Sequence, residues 1–137
     1  MQGSILFCVM GGKMSEGINF SDHLARCVIV IGMPFPDSRD PILQEKLAHA
    51  NSLNPNSSKG LYESMCMKVV NQSIGRSIRH VNDYASILLL DLRYERDNIV
   101  EQLPSWISST LSTCKYTADL KEKLAFFYSS KLNNTIK

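Results

Sequence analysis

The sequence predicts an α/β protein in which helices cover both faces of a parallel β-sheet. Three short apolar runs, at residues 4–10, 27–33 and 85–92, show almost no alternation between polar and apolar side chains. Such continuous runs are typical of parallel strands, because helices bury both faces of the sheet. Stretches with helical character lie between the second and third runs and after the third, which gives the strand–helix order of this fold class.

Glycine or proline ends the first two predicted strands. Residues 4–10, SILFCVM, are followed by Gly11 and Gly12, and residues 27–33, CVIVIGM, stop at Pro34. Glycine suits tight loops and proline removes a backbone donor, so either residue ends a strand. The third run has the same apolar character and completes the predicted part of the sheet.

Four helical stretches accompany these strands. The first has Asp40 as its N-cap and Pro41 at the first helical position, where the missing N–H of proline costs nothing. A loop at residues 54–60, NPNSSKG, separates it from the longest helix. The last helix carries residues 126–128, FFY, which belong either to the core or to a partner surface. The predicted helices cover Pro41 to about Ser52, Leu61 to about His80, a short piece within residues 101–112, and Thr117 to about Leu132.

The composition is that of one folded domain of ordinary size. Of the 137 residues, 44% are hydrophobic and 20% are charged, which excludes a disordered chain. The net charge of +2 permits a nucleic-acid partner without indicating one. The four cysteines have no CxxC spacing, which argues against a zinc or iron–sulfur site within this chain, and Cys8 and Cys27 are expected to be buried thiols. We expect neither a signal peptide nor a membrane span.

The longest predicted helix presents one amide and two guanidinium groups together. At 100° per residue, Gln72, Arg76 and Arg79 fall within an arc of roughly 60° on one face. The opposite, apolar face of the same helix consists of Met67, Val70, Ile74, Ile78 and Val81.

An anion would relieve the repulsion between these two arginines, and phosphate matches their forked donors. Gly75 stands beside the polar face, where a glycine inside a helix costs about 1 kcal/mol relative to alanine. This cost suggests that a backbone or a phosphate approaches closely at that point. A solvated basic face is the alternative explanation of the same pattern.

A few other residues carry ordinary structural expectations. Asp83 and Tyr84 are expected to form a turn and a packing contact. Asp91 and Arg93 end the third strand and are expected to pair locally. Trp106, two residues after Pro104, is expected to anchor the core.

The string QxxGRxxR at residues 72–79 resembles motif VI of superfamily-two helicases, and residues 80–94 are similar to the XPD-like form of it. Residues 11–20, GGKMSEGINF, resemble motif V. Arg26 and two further segments follow in the order that these helicases share. The likeness extends over about residues 3–107 and is nearest to the ChlR-type branch of the XPD-like, iron–sulfur DNA helicases, which is linked to sister-chromatid cohesion. The two further segments are residues 28–36 and 103–107.

The resemblance implies a partial RecA-like lobe, the second domain of a P-loop NTPase helicase, at residues 1–112, with a helical extension at 113–137. In such motors, ATP and Mg²⁺ lie between two lobes, and the first lobe supplies the Walker A lysine and the DEAH acid. The 4Fe-4S cluster of the family would likewise belong to the parent protein and not to this chain. The implied partners are the first lobe, single-stranded or forked DNA, and replication or cohesion factors in the nucleus.

The resemblance also implies roles for the residues of motif VI. Arg79 would be the arginine finger, Arg76 a second phosphate or interlobe contact, and Gln72 the group that orients the phosphate or the attacking water. Such donors stabilise charge that develops on a transferred phosphoryl group. Gly75 would let the nucleotide approach.

Motif V would lie where the nucleotide and DNA sites meet. Lys13 and Ser15 would donate to a DNA phosphate. Glu16 would accept from a ribose hydroxyl or couple to Arg76, and Gly17 would allow close approach of the backbone. An interlobe salt bridge is the alternative role for Glu16.

The sequence contains no G-x-x-x-x-G-K-S/T string and no DEAH box. Around Lys13, Phe7 stands at the position of the first glycine, and Met14 cannot bind magnesium. We therefore expect the parent protein to be an ATPase and this chain alone to bind ATP weakly and hydrolyse none.

Two alternatives stay open from the sequence. One is a non-catalytic truncated isoform that acts as a binding module, which the presence of Walker A and DEAH sequences upstream would exclude. The other is an α/β enzyme with its own anion site at the motif VI helix, which a stoichiometric small-molecule ligand would favour.

Overall fold

The computed structural model describes residues 3–13, 24–78, 80 and 83–134. Strands and helices follow one another in the order that defines the predicted α/β class. Along the chain they are β1 (Cys27–Ile31), α1 (Pro41–Leu53), α2 (Ser57–Ile74), β2 (Ser86–Leu90), a 3₁₀ helix (Leu92–Glu95), α3 (Asp97–Val100), α4 (Ser105–Ser108) and α5 (Thr117–Asn134).

The two strands pair in parallel, as their continuous apolar sequences predict. Cys27 lies opposite Ser86 at one end of the register and Ile31 lies opposite Leu90 at the other. The backbone N–H of Gly32 donates to the carbonyl oxygen of Leu90 at 3.1 Å and extends the ladder by one bond. The connection between the strands runs through α1 and α2, so this is a strand–helix–strand unit.

The prediction of a strand at residues 4–10 is wrong for the described residues. Residues 3–9 form no strand, and Ile5, Phe7 and Val9 are each about four-fifths exposed. A strand forms where a neighbour satisfies its backbone N–H and C=O groups, and in the described part of the chain β1 and β2 pair only with each other. Cys8 and Cys27, predicted to be buried, are both exposed, so that prediction is wrong.

Helix α1 confirms the predicted cap. The carboxylate of Asp40 accepts from the backbone N–H of Ile42 at 2.8 Å and of Leu43 at 3.4 Å. Pro41 occupies the first helical position. The carboxylate thus satisfies two of the backbone donors that a helix start leaves unpaired, and the proline has no N–H to satisfy.

Helix α2 begins earlier and ends earlier than predicted. It starts at Ser57, so only the first part of the predicted loop is outside it, and it stops at Ile74 instead of His80. At its end the backbone N–H and the hydroxyl of Ser77 both donate to the carbonyl oxygen of Ile74, at 3.1 and 2.8 Å. These bonds tighten the chain into a turn and occupy the acceptor that a longer helix would offer to residue 78.

The core lies between α2, the sheet and the segment after β2. Met67, Val70 and Ile74 of α2 are at most 1% exposed, which confirms these three members of the predicted apolar face. Ile78 lies beyond the end of the helix and is half-buried, and Val81 lies outside the described residues. Burying each such side chain contributes about 1.5–3 kcal/mol. The other buried members of the cluster are Val30, Tyr94, Ile99, Leu103 and Ile107.

Trp106 does not anchor this core as predicted. Its side chain is 45% exposed, and the neighbouring Ile107, only 5% exposed, fills the core instead. Because α4 is a single turn, the two consecutive side chains point in different directions, and the branched aliphatic one is directed inward.

Among the helices that the structure describes, none is both long enough and apolar enough to cross a membrane.

Candidate functional site

The described part of motif V, residues 11–13, begins in a tight turn at residues 9–12. The backbone N–H of Gly12 donates to the carbonyl oxygen of Val9 at 3.1 Å, and Gly11 has a φ of +74°. A positive φ at the third position is that of a type II turn, which favours glycine. A Cβ at Gly12 would lie 3.0 Å from the carbonyl oxygen of Val9, a tight contact, so a small residue is favoured there as well.

This turn packs against helix α2. A Cβ placed on Gly11 would lie 3.5 Å from Cγ1 of Val69, and the side chain of Met10 packs against the core. Val69 precedes Gln72 by three residues, which is just under one helical turn. The structure thus brings the beginning of motif V next to the helix that carries the beginning of motif VI. Lys13 follows the turn and is exposed.

The prediction that Gln72, Arg76 and Arg79 lie on one face of a single helix is wrong. Gln72 lies in the last turn of α2 and is exposed, whereas Arg76 lies beyond the helix end in a turn and is half-buried. The angular spacing of residues on a helix does not apply past Ile74.

Gly75 was predicted to lie inside the helix, but it is the C-cap of α2. Its φ of −63° is open to any residue, so the predicted cost of a glycine inside a helix does not arise. A Cβ there would lie 3.2 Å from the carbonyl oxygen of Asn71. The close neighbour of Gly75 in the structure is therefore its own helix.

Two cations of the candidate site, Arg76 and Lys13, have no acidic partner among the residues that the structure describes. Within the described residues, neither Arg76 nor Lys13 makes an ion pair or a side-chain hydrogen bond. Arg76 is half-buried, so its charge is less well solvated than that of Lys13, and an anion would gain more from it. Both residues fit the phosphate contacts that the sequence predicts.

Four predicted site residues lie outside the described residues. Ser15, Glu16 and Gly17 of motif V and Arg79 of motif VI belong to this group. Their roles stay predictions.

A polar groove beside Gln72 was not predicted from the sequence. Its floor includes Asn71, whose Nδ2 donates to the carbonyl oxygen of Gln102 at 2.8 Å. The Oδ1 of the same side chain is buried, with no hydrogen-bond partner among the described residues. A buried acceptor left unpaired costs about 1–3 kcal/mol, so this atom is suited to accept a bond from a bound group. The groove is lined by Ser64, Met67, Lys68, Asn71, Gln72 and Gln102.

An ion pair anchors the chain that follows motif VI. The carboxylate of Asp83, fully buried, accepts from Nη1 of Arg26 at 2.7 Å and from the backbone N–H of Tyr84 at 2.9 Å. Asp83 was predicted to form a turn, and its pairing with Arg26, 57 residues away, was not predicted. The parallel register of the strands could have suggested it, because Arg26 and Asp83 both lie just before a strand.

The predicted pair of Asp91 and Arg93 is confirmed at the opposite end of the sheet. The guanidinium donates to both carboxylate oxygens, at 2.8 and 2.6 Å. This side-chain bond, aided by the backbone N–H of Arg93, lowers the pKa of Asp91 to about 2. The guanidinium also lies 5.3 Å from the ring of Phe35, which stacks on Tyr62.

The described ranges contain no group of three or more histidine, cysteine, aspartate or glutamate residues placed to hold a metal ion. The Mg²⁺ implied by the resemblance has no described ligand here. The described residues instead supply cationic and amide donors, which are groups that bind phosphate.

Comparison with known proteins gives one family and a consistent set of relatives. A family profile described as the helicase C-terminal domain matches residues 1–110. The ATP-dependent DNA helicase DDX11 of Danio rerio is 53% identical over 116 residues, which cover 81% of this chain and 13% of that protein. The ATP-dependent DNA helicase chl1 of Schizosaccharomyces pombe is 46% identical over 134 residues, or 93% of this chain and 16% of that protein.

These relatives confirm the predicted likeness to the ChlR-type branch. The chain spans about an eighth to a sixth of the length of the curated relatives that it matches. The boundary predicted at residue 112 stays a prediction.

Proposed function

Because the chain belongs to the helicase C-terminal domain family, we propose that it is the second motor lobe of an ATP-dependent DNA helicase of the ChlR type. In this role it supplies the arginine finger for ATP hydrolysis and part of the track for single-stranded DNA. The parent protein acts in the nucleus, where replication or cohesion factors are its proposed partners. The Walker A lysine, the DEAH acid and the 4Fe-4S cluster belong to the remainder of that protein.

One observation carries this proposal, the packing of the motif V turn against α2. Gly11 lies in contact range of Val69, and Gln72 and Arg76 follow Val69 along the chain by three and seven residues. The segment proposed to bind DNA therefore begins close to the segment proposed to bind the nucleotide. Such proximity would give ATP hydrolysis a short path along which to change the affinity for DNA.

The proposed nucleotide-binding site depends on a positive charge that has no ion-pair partner among the described residues. Arg76 is half-buried beside the end of α2, and Gln72 presents an exposed amide one turn before it. Bound ATP supplies the phosphoryl group, and Mg²⁺ held by the first lobe neutralises part of its charge. Arg76 and Arg79 then stabilise the negative charge on the γ-phosphate, and Gln72 orients it.

The remaining residues complete the two binding surfaces. Lys13, which is exposed, donates to a DNA phosphate together with Ser15, and this contact carries no sequence preference. Glu16 and Gly17 contact the nucleotide next to Gly75. Because Lys13 adjoins the turn that touches α2, a change at the DNA phosphate has a short route to motif VI.

The test uses two alanine substitutions in the full-length protein. Arg79→Ala is expected to lower DNA-stimulated ATP hydrolysis by about a thousandfold or more while DNA affinity changes little, because an arginine finger acts on the transition state. Lys13→Ala is expected to weaken DNA binding and reduce its salt dependence while nucleotide affinity is retained. Turnover is measured by phosphate release and binding by fluorescence anisotropy.

The matched control is Arg39→Ala. Arg39 is an exposed arginine that, within the described ranges, pairs with its neighbour Asp37, so both readouts should equal those of the unmodified protein. Normal turnover in Arg79→Ala would contradict the proposed role of motif VI.

A further inference from the structure

The chain on either side of Arg79 is fixed by buried side chains. On one side Ser77 is 1% exposed and bonds to Ile74 at the end of α2. On the other side the carboxylate of Asp83 is fully buried against Arg26. Only six residue steps separate Ser77 from Asp83, so the position of Asp83 limits where the intervening chain can lie.

Arg26 holds Asp83 and Tyr84 through three different contacts. Its Nη1 donates to Asp83 Oδ1 at 2.7 Å and to the carbonyl oxygen of Tyr84 at 2.8 Å. The guanidinium carbon lies 4.0 Å from the centre of the Tyr84 ring, which is a cation–π distance. A lysine at this position could keep the charge but lacks the planar guanidinium that lies over the Tyr84 ring.

Helix α5 is fastened to the same place, beyond the end of the family match at residue 110. The hydroxyl of Tyr128 donates to the carbonyl oxygen of Arg26. With its hydrogen committed there, it accepts from Oγ of Ser86 at 2.7 Å. The backbone N–H of Ser86 donates to the same Arg26 oxygen at 2.9 Å, so one carbonyl joins β1, β2 and α5.

Aromatic contacts extend this junction along α5. The ring of Phe127 meets the ring of Tyr84 edge-on at 6.1 Å, and Nζ of Lys131 lies 5.8 Å from the Tyr84 ring centre. Phe126, by contrast, is 77% exposed. The aromatic cluster of α5 is thus divided, and its inner members face the segment that follows motif VI.

From these contacts we propose that Arg26, Asp83 and Tyr128 act together to position motif VI. The three meet at the amino ends of β1 and β2, and we call them the amino-end bracket. The three are positioning residues, because they hold the chain at Asp83 in place and touch neither ATP nor DNA. Through Tyr128 the C-terminal helix becomes part of the ATPase machinery. This inference rests on the proposed motor function, since it concerns the placement of the Arg79 side chain relative to the phosphate. A misplacement of about 1 Å at a reacting centre can cost about a hundredfold in rate.

The test is a steady-state ATPase series in the full-length protein with DNA present. Arg26→Gln is expected to lower kcat by about tenfold or more while KM for ATP changes much less, because a misplaced transition-state donor affects kcat. Arg26→Lys should recover part of that loss by restoring the charge. Tyr128→Phe removes one hydroxyl and keeps the ring, so we expect a smaller decrease of about two- to fivefold.

Tyr116→Phe is the matched control. Tyr116 lies in the same extension and is 71% exposed, so losing its hydroxyl should leave kcat and KM unchanged. Circular dichroism melting of each variant gives the folded fraction, to which kcat is normalised.

The outcomes separate the bracket from the motor function itself. A lower melting temperature with an unchanged normalised kcat in Arg26→Gln and Tyr128→Phe would reduce the bracket to a purely structural feature and overturn the proposal. Normal kcat in these variants alongside loss of turnover in Arg79→Ala would overturn the bracket alone. An unmodified protein without ATPase activity would overturn the motor function and the bracket with it.

Discussion

At the scale of single residues, the chain contains two Asp-x-Arg pairs with the same bonding and different surroundings. In both, the arginine donates from Nε and Nη2 to the two carboxylate oxygens of the aspartate two residues earlier. The side chains of Asp37 and Arg39 are 57% and 88% exposed, against 17% and 39% for Asp91 and Arg93. Solvent screens the first pair more strongly, so only the second should affect stability measurably.

This difference can be measured as a dependence of stability on pH. The pKa of Asp91, about 2, lies below its ordinary value of 3.8, so its pair stabilises the fold above pH 3.8 and loses that contribution as the pH falls through 2. Asp91→Asn is expected to lower the free energy of unfolding at pH 7 by about 1 kcal/mol, since partial exposure of Arg93 weakens the pair. The difference from the unmodified chain should shrink between about pH 4 and pH 2.

The measurement is urea unfolding of the chain at a series of pH values. Asp37→Asn serves as the control, because the same bonds are made there in solvent, and it should change little at any pH. An Asp91→Asn difference that stays constant from pH 7 to pH 2 would show that the carboxylate charge contributes nothing.

At the scale of secondary structure, the end of α2 determines the geometry of the candidate site. If the helix continued to His80, Gln72 and Arg76 would project from one rigid face. Because it ends at Ile74, Arg76 lies in a turn whose position depends on Ser77 and on the packing of Ile74. The last buried turn of α2 therefore supports motif VI directly.

A truncation of that turn tests its contribution to stability. Ile74 is 0% exposed, so Ile74→Ala is expected to lower the free energy of unfolding by about 2–5 kcal/mol, through lost burial and the cavity left behind. The control is Ile42→Ala in α1, where the side chain is 68% exposed and the change should lie within about 0.5 kcal/mol. Chemical denaturation of both variants gives the comparison, and equal destabilisation would contradict the described core.

At the scale of the whole molecule, the described residues contain donors for phosphate and no acidic cluster for a metal. The apolar side chains of residues 5–9 and the outer face of β1, where Ile29 and Ile31 are more than half exposed, are not covered by other described residues. Large exposed apolar areas of this kind mark contacts with other protein surfaces. Both features are consistent with a lobe that packs against a second lobe.

The expected activity of the isolated chain follows from the proposed division of the ATP site between two lobes. We expect the 137-residue chain to bind ATP weakly, in the millimolar range by order of magnitude, and to hydrolyse none, because the proposed Walker A and DEAH groups belong to the other lobe. Isothermal titration and a phosphate-release assay with added DNA provide the measurement. DNA-stimulated turnover by the chain alone, lost on Arg79→Ala, would contradict the two-lobe proposal.

The sequence by itself determined the α/β class, both described strands, the capped start of α1 and the family. Local sequence patterns predict each of these features: continuous apolar runs, an aspartate before Pro41, and motifs in a fixed order. Local propensity and motif spacing do not depend on what the rest of the chain does, so they can be read directly.

Only the tertiary structure decided where α2 ends, which apolar segments stay exposed, and what holds Asp83. The partner of Asp83 is 57 residues away and that of Tyr128 is 102 residues away, so no local pattern identifies them. The same holds for residues 3–9, whose apolar sequence fits a strand that no described neighbour pairs with. Hydrogen bonding and burial are properties of the assembled fold, and they overrule local propensity wherever the two disagree.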